Sequence, residues 1–233
     1  MRKAVLLGVL LAVAVAAPAS AARVELVVVG KERVLRPAKE VRLKVRKVRV
    51  EGRRCRVGAA TPLSVLVAAK LPLGLRDYGH CGARPRDAAG LYVTRVRRER
   101  EKGRGGWVYK VGRRTPSLGA ADPSGRRLRD GQRITWFWCE QDDSGGCQRT
   151  LEAQPDRTTA TPGEALSVNV RGYDDHGKSI AVEGATVTLG SASAVSDAAG
   201  IAVLTVNAER GKQRLEATRD GLVPAFPVVV TVG

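Results

Sequence analysis

Aromatic side chains are scarce in this chain: three Trp, four Tyr and two Phe among 233 residues. Histidine occurs twice, at His80 and His176, with no pair at metal-ligand spacing. The four cysteines contain no C-x-x-C step, so a zinc site is not expected. Nucleophile and metalloprotease signatures are missing: there is no G-x-S-x-G and no H-E-x-x-H. Gly103, Gly105 and Gly106 precede a strand-like run rather than a helix, so no helix N-terminus is on hand to hold phosphate. The acid pairs Asp142-Asp143 and Asp174-Asp175 lack the ligand spacing of a calcium loop and read as solvated turns. No convergent acid, base and nucleophile set emerges, and an enzyme is not expected. No cofactor is required.

Long apolar runs are confined to the first residues. Arg2 and Lys3 precede the uncharged run Ala4 to Ala17, Pro18 breaks it, and Ala19-Ser20-Ala21 has the small-x-small pattern of a signal-peptidase site. The run is short of the roughly 20 residues that span a bilayer. Residues 1–21 are therefore expected to be a cleaved leader, with the rest extracellular or at the cell surface and without a transmembrane segment. In an exported chain an even number of cysteines implies disulfides. Three pairings of Cys55, Cys81, Cys139 and Cys147 are open. Cys139 and Cys147 flank a short polar loop, which favours Cys139–Cys147 and leaves Cys55–Cys81.

Charge is uneven. Residues 23–152 hold 31 Lys plus Arg against 14 Asp plus Glu, whereas 153–233 hold 7 against 9. The basic excess permits binding to anionic polymers. Nucleic acid is compatible in charge, but export makes it an unexpected partner.

Alternating and turn-rich segments predict a mainly β chain. Strands are expected within 24–36 around a Gly30 turn, over 41–50 with a bulge at Arg46-Lys47, and over 91–96, 107–111 and 132–138. Thr61-Pro62 starts one helix, 62–70, with Thr as N-cap. RREREKGRGG, 97–106, reads as a charged loop, and Asp130-Gly131 as a hairpin-type turn. Residues 153–163 are rich in Thr, Pro and Asp and read as a linker. Short strands at 165–171, 185–189, 201–207, 212–218 and 226–232 then suggest a small β-sandwich.

Two resemblances follow from motifs. Gly106, Trp107, Tyr109 and Val111, then Gly119-Ala120, then Leu128, Asp130, Gly131 and Trp136 resemble the signature of the transcobalamin C-terminal-like domain, an exported bacterial family. Thr61-Pro62-Leu63 and Tyr92-Val93-Thr94 fall where that family has its helix and central strand. Gly112 directly follows Val111 where the family has Asn-Gly, and Gln132 replaces a common acid. Asp197, Gly200, Ala202, Leu204, Gly211, Ala217, Gly221 and the final Val run resemble bacterial immunoglobulin-like repeats. The residue pattern gives an N-terminal strand region at 22–40, and the first resemblance implies an α+β domain with a small sheet and one helix at 41–152. After the linker, an immunoglobulin-like sandwich is implied at 164–233.

They also imply a non-enzymatic binding module for cobalamin or another small planar molecule. Trp107, Tyr109, Trp136 and Trp138 read either as core packed on the helix or as a partly open platform that stacks a ligand. Arg113 and Arg114, with Arg126, Arg127 and Arg133, would bind its carboxylate or phosphate groups. The alternative is a structural or adhesive surface protein that contacts anionic envelope polymers through its basic half.

Overall fold

The computed structural model describes residues 22–124 and 127–233. The leader expected at 1–21 and Arg126 lie outside them. The fold is mainly β, with a single α-helix among the described residues.

β1 (Arg23–Val29) and β2 (Val34–Arg42) form the antiparallel hairpin expected around Gly30. β3 (Arg46–Val50) and β4 (Arg53–Val57) make a separate two-stranded ribbon. Residues 41–50 are therefore not one bulged strand. The phase slip marks a change of sheet: β2 ends at Arg42, Val45 is exposed, and β3 begins at Arg46. Glu51 and Gly52 join the ribbon with φ of 49° and 80°, the left-handed pair that a two-residue hairpin turn requires.

α1 (Pro62–Ala68) starts as expected, with Thr61 Oγ1 accepting from Ser64 N at 3.3 Å. It ends two residues early, because Lys70 turns left-handed at φ 56°. β5 (Leu73–Asp77), β6 (Leu91–Val96) and β7 (Glu99–Arg100) form a three-stranded antiparallel sheet. The expected loop 97–106 thus contains β7 and the start of β8 (Gly105–Val111). β9 (Arg133–Glu140) pairs antiparallel with β8, but the long segment 112–132 joins them. Asp130-Gly131 is a turn entering β9, not a tight hairpin.

The central sheet has the order β2-β1-β9-β8, with β1 and β9 parallel. Residues 22–40 are accordingly no separate region; they supply an inner strand. Val24, Leu26 and Val28 pack on the α1 side with Leu63, Val65 and Leu66. Val27 and Val29 point the other way, and with Phe137, Cys139 and Val223 they form a second cluster. Both faces of the sheet are covered, one by α1 and one by the second half of the chain. Burial on both faces explains why β9 is buried from Ile134 to Cys139 rather than alternately.

The expected linker 153–163 contains the end of one strand and the whole of another. β10 (Thr150–Pro155) pairs with β12 (Ala165–Tyr173), and β11 (Thr159–Ala160) runs parallel to the last strand. Then come β13 (Ser179–Ala181), β14 (Thr186–Leu189), β15 (Ala192–Val195), β16 (Ile201–Thr205), β17 (Gly211–Thr218) and β18 (Val228–Val232). One sheet places β12 among β10, β13 and β16; the other has the order β11-β18-β17-β14-β15. Leu166, Val168, Leu204, Val187, Leu215 and Val230 from both sheets share one apolar cluster, which is a sandwich.

Disulfides join Cys55 to Cys81 and Cys139 to Cys147. The first ties β4 to the loop after β5. The second closes the polar loop after β9.

Candidate functional site

Trp107, Tyr109, Trp136 and Trp138 are core residues, 3%, 8%, 1% and 3% exposed. Trp107 lies opposite Trp138, and Tyr109 opposite Trp136, on the α1 face of β8 and β9. The first pair meets edge to face at 5.9 Å, the second at 5.2 Å with a 35° tilt. Trp107 Nε1 donates to Glu99 O at 3.0 Å, Tyr109 Oη to Leu118 O at 2.7 Å, and Trp136 Nε1 to Pro62 O at 3.2 Å. Burial pushes the Tyr109 phenol up to about 12. The open stacking platform is therefore not formed: these rings pack on one another and on α1, with the polar tips of Trp107, Tyr109 and Trp136 satisfied internally and Trp138 Nε1 buried without a partner among the described residues.

Trp138 borders a sizeable cleft. About 610 Å³ lies between the β1–β2 turn and the 218–224 segment, with Trp138 in its wall. Lys31 Nζ covers that ring at 4.4 Å from its centroid, so the aromatic face is already occupied.

Of the two arginines expected to bind ligand, Arg113 binds the second half of the chain instead. Arg113 makes a bidentate pair with Glu152, Nε to Oε2 at 2.7 Å and Nη2 to Oε1 at 2.5 Å, and stacks on Tyr173 at 4.6 Å. The Arg114 side chain passes against Gly177. Arg133 pairs with Glu25 at 2.8 Å and lies over Phe226, while Arg127 is exposed.

Between the halves sits Lys110, fully buried. Its Nζ donates to Tyr173 O at 2.9 Å and Asp174 O at 3.1 Å, and lies 3.6 Å from Asp175 Oδ1. Desolvation lowers its pKa, against the opposing pull of Asp175. Asp174 is the turn residue expected, its Oδ1 accepting from His176 N and Lys178 N. Asp175 instead points inward. The one available signal for Lys110 was its phase in WVYKV, opposite to Trp107 and Tyr109.

A cluster of unpaired charge lies on the β3–β4 ribbon. Lys47 stands directly opposite Arg56, and Arg49 directly opposite Arg54, so all four share one face. All four are exposed. Among the described residues none has a carboxylate partner. The other face is anchored by Val50, Cys55 and Val57, all buried. Reading 41–50 as a single strand hid this arrangement; Glu51-Gly52 between VRKVRV and RRCRV was the signal for it.

No helix among the described residues is long and apolar enough to cross a membrane. No family model, curated protein or solved structure matches the chain, so the two resemblances rest on their motifs alone.

Proposed function

We propose that this chain is an exported, non-enzymatic binding protein that holds an anionic envelope polymer against the outward face of the β3–β4 ribbon. The observation that carries this reading is the square of Lys47, Arg49, Arg54 and Arg56. Like charges directly opposite each other on a ribbon destabilise it, so such a face calls for a counter-charge from elsewhere. The Cβ atoms that carry neighbouring cations stand about 5 Å apart across the ribbon and about 7 Å apart along it. That spacing suits a polymer bearing one anionic group per repeat, such as a phosphodiester or uronate chain. Arginine's fork pairs with either group. The disulfide at Cys55 fixes the ribbon from behind, which lowers the ordering cost of binding.

Binding of cobalamin or another small planar molecule would need an exposed stacking face, and Trp107, Tyr109 and Trp136 present none. The anionic-polymer reading is therefore the better supported of the two.

The test is fluorescence anisotropy with labelled polyphosphate and labelled polygalacturonate, using residues 22–233. Four engaged cations predict a log–log salt slope of about three. Arg49→Gln with Arg54→Gln should reduce it by about one and a half. An unchanged slope in that double variant overturns the proposal.

A further inference from the structure

Tyr78 and Tyr92 are 68% and 41% exposed, and their rings meet edge to face at 6.1 Å. In a chain so short of aromatics, two of them sit side by side on the surface while every Trp is buried. Tyr92 borders a cleft of about 370 Å³ whose lining includes Glu101, Lys102, Gly106, Val108 and Gln141. That volume is at the small end of the range for ligand pockets, about 300–1,000 Å³.

The cleft lies between the loop after β9 and the β7–β8 connection. The loop closed by Cys139–Cys147 supplies Gln141, whose N–H donates to Arg104 O at 3.3 Å. Arg104 donates to Asp143 Oδ1 at 2.8 Å, an exposed pair between that loop and the β7–β8 connection. The Tyr92 phenol is raised above its ordinary value by partial burial and by the nearby Glu101 carboxylate, so it stays a neutral donor. Gly106 needs no special backbone conformation, and a Cβ there would meet only the Tyr92 hydroxyl, at 3.5 Å. Nothing in the packing requires glycine at 106; its effect is to keep the cleft beside Tyr92 open.

We infer that this cleft is a saccharide subsite that takes one neutral pyranose ring of a glycan. A pyranose has an apolar C–H face and a rim of hydroxyls. The exposed Tyr92 ring, buttressed edge-on by Tyr78, offers the apolar face its partner. Glu101 accepts, Lys102 donates, and the Gln141 amide does both. Arg104 is already paired with Asp143, and Glu101 and Lys102 cancel, so the cleft selects an uncharged ring. The site is separate from the β3–β4 ribbon and does not depend on its role.

The test is saturation-transfer NMR on residues 22–233 with cellohexaose, maltohexaose and chitotetraose, at low and high salt. Saturable transfer with a millimolar Kd is expected for at least one of them, insensitive to salt. Tyr92→Ala should weaken it about tenfold or more. Gly106→Val, which fills the cleft with methyls, should abolish it. Arg49→Gln with Arg54→Gln should leave it unchanged, whatever becomes of polymer binding. Circular dichroism of each variant confirms that it is folded. No transfer from any of the three sugars, or transfer that survives both Tyr92→Ala and Gly106→Val, overturns the inference.

Discussion

Lys110 Nζ lies 3.6 Å from Asp175 Oδ1, with the ammonium drawn fully out of water between the two halves of the chain. Asp175 is itself held, accepting from Thr115 Oγ1 and from Cys147 N, each at 3.0 Å. Truncation by Lys110→Ala leaves the Tyr173 and Asp174 carbonyls without their lysine donor and the Asp175 carboxylate without its counter-charge, and should cost about 3–5 kcal/mol. Lys110→Met keeps the packing and removes the buried charge, so it should cost less. Urea unfolding of both variants measures the difference.

The same lysine sets a pH dependence. Its folded pKa is lowered, so between that value and the ordinary lysine value the unfolded chain binds more protons. Stability must then rise with pH across that window. Lys110→Met should flatten the rise, seen as the difference between the two stability–pH curves.

Tyr109 works in the opposite sense. Its phenol, pushed up to about 12, is neutral in the folded chain after an unfolded tyrosine has ionised. The stability it contributes is full below about pH 10 and is lost as pH rises towards 12. An ultraviolet phenolate titration should show one tyrosine ionising late, and Tyr109→Phe should remove that late step. Losing the bond to Leu118 O should cost about 1 kcal/mol.

Much of the fold was legible because periodicity reports burial. Trp107, Tyr109 and Val111, and Ile134, Trp136 and Trp138, alternate as they should, and the N-cap at Thr61 stands where Thr-Pro placed it. Alternation cannot say what covers the opposite face, however. Phe137 falls on that side, and only the tertiary structure shows the second half of the chain closing over it. The same limit governs the site residues. A strand pattern gives a tryptophan its face but not its exposure, so core and platform were indistinguishable from sequence. Arg113 looked free because Glu152, its partner, is far along the chain. Tyr78 and Tyr92 meet only through the register of β5 with β6.

The two disulfides should contribute unequally. Cys55–Cys81 closes a separation of 26 residues and Cys139–Cys147 one of 8. Loop-closure entropy then gives about 3.5 kcal/mol for the first and about 2.5 kcal/mol for the second. Denaturant midpoints of Cys55→Ser with Cys81→Ser, and of Cys139→Ser with Cys147→Ser, test the order. The first variant should also weaken polyphosphate binding, because β4 loses its covalent anchor. The second should affect the saccharide cleft, because Gln141 sits in the loop it releases.

Coverage of both faces of the central sheet bears on whether the first half of the chain is stable alone. Residues 22–148 retain α1, the aromatic pairs and both disulfides. They lose Val223 and Phe226 from the cluster that buries Val27, Val29 and Phe137, and every acceptor that Lys110 uses. The fragment would therefore expose an apolar sheet face with a lysine in its midst. Such a fragment should bind a hydrophobic dye or self-associate, and it should unfold at lower denaturant than residues 22–233. Phe137→Lys in the fragment should restore solubility by giving that face to water. In the full chain the same change buries an unpaired charge and should cost several kcal/mol. If the fragment is monomeric, dye-silent and as stable as the full chain, the contact between the halves contributes nothing to folding. The buried Lys110 site would then be a passenger of the fold rather than part of what holds the two halves together.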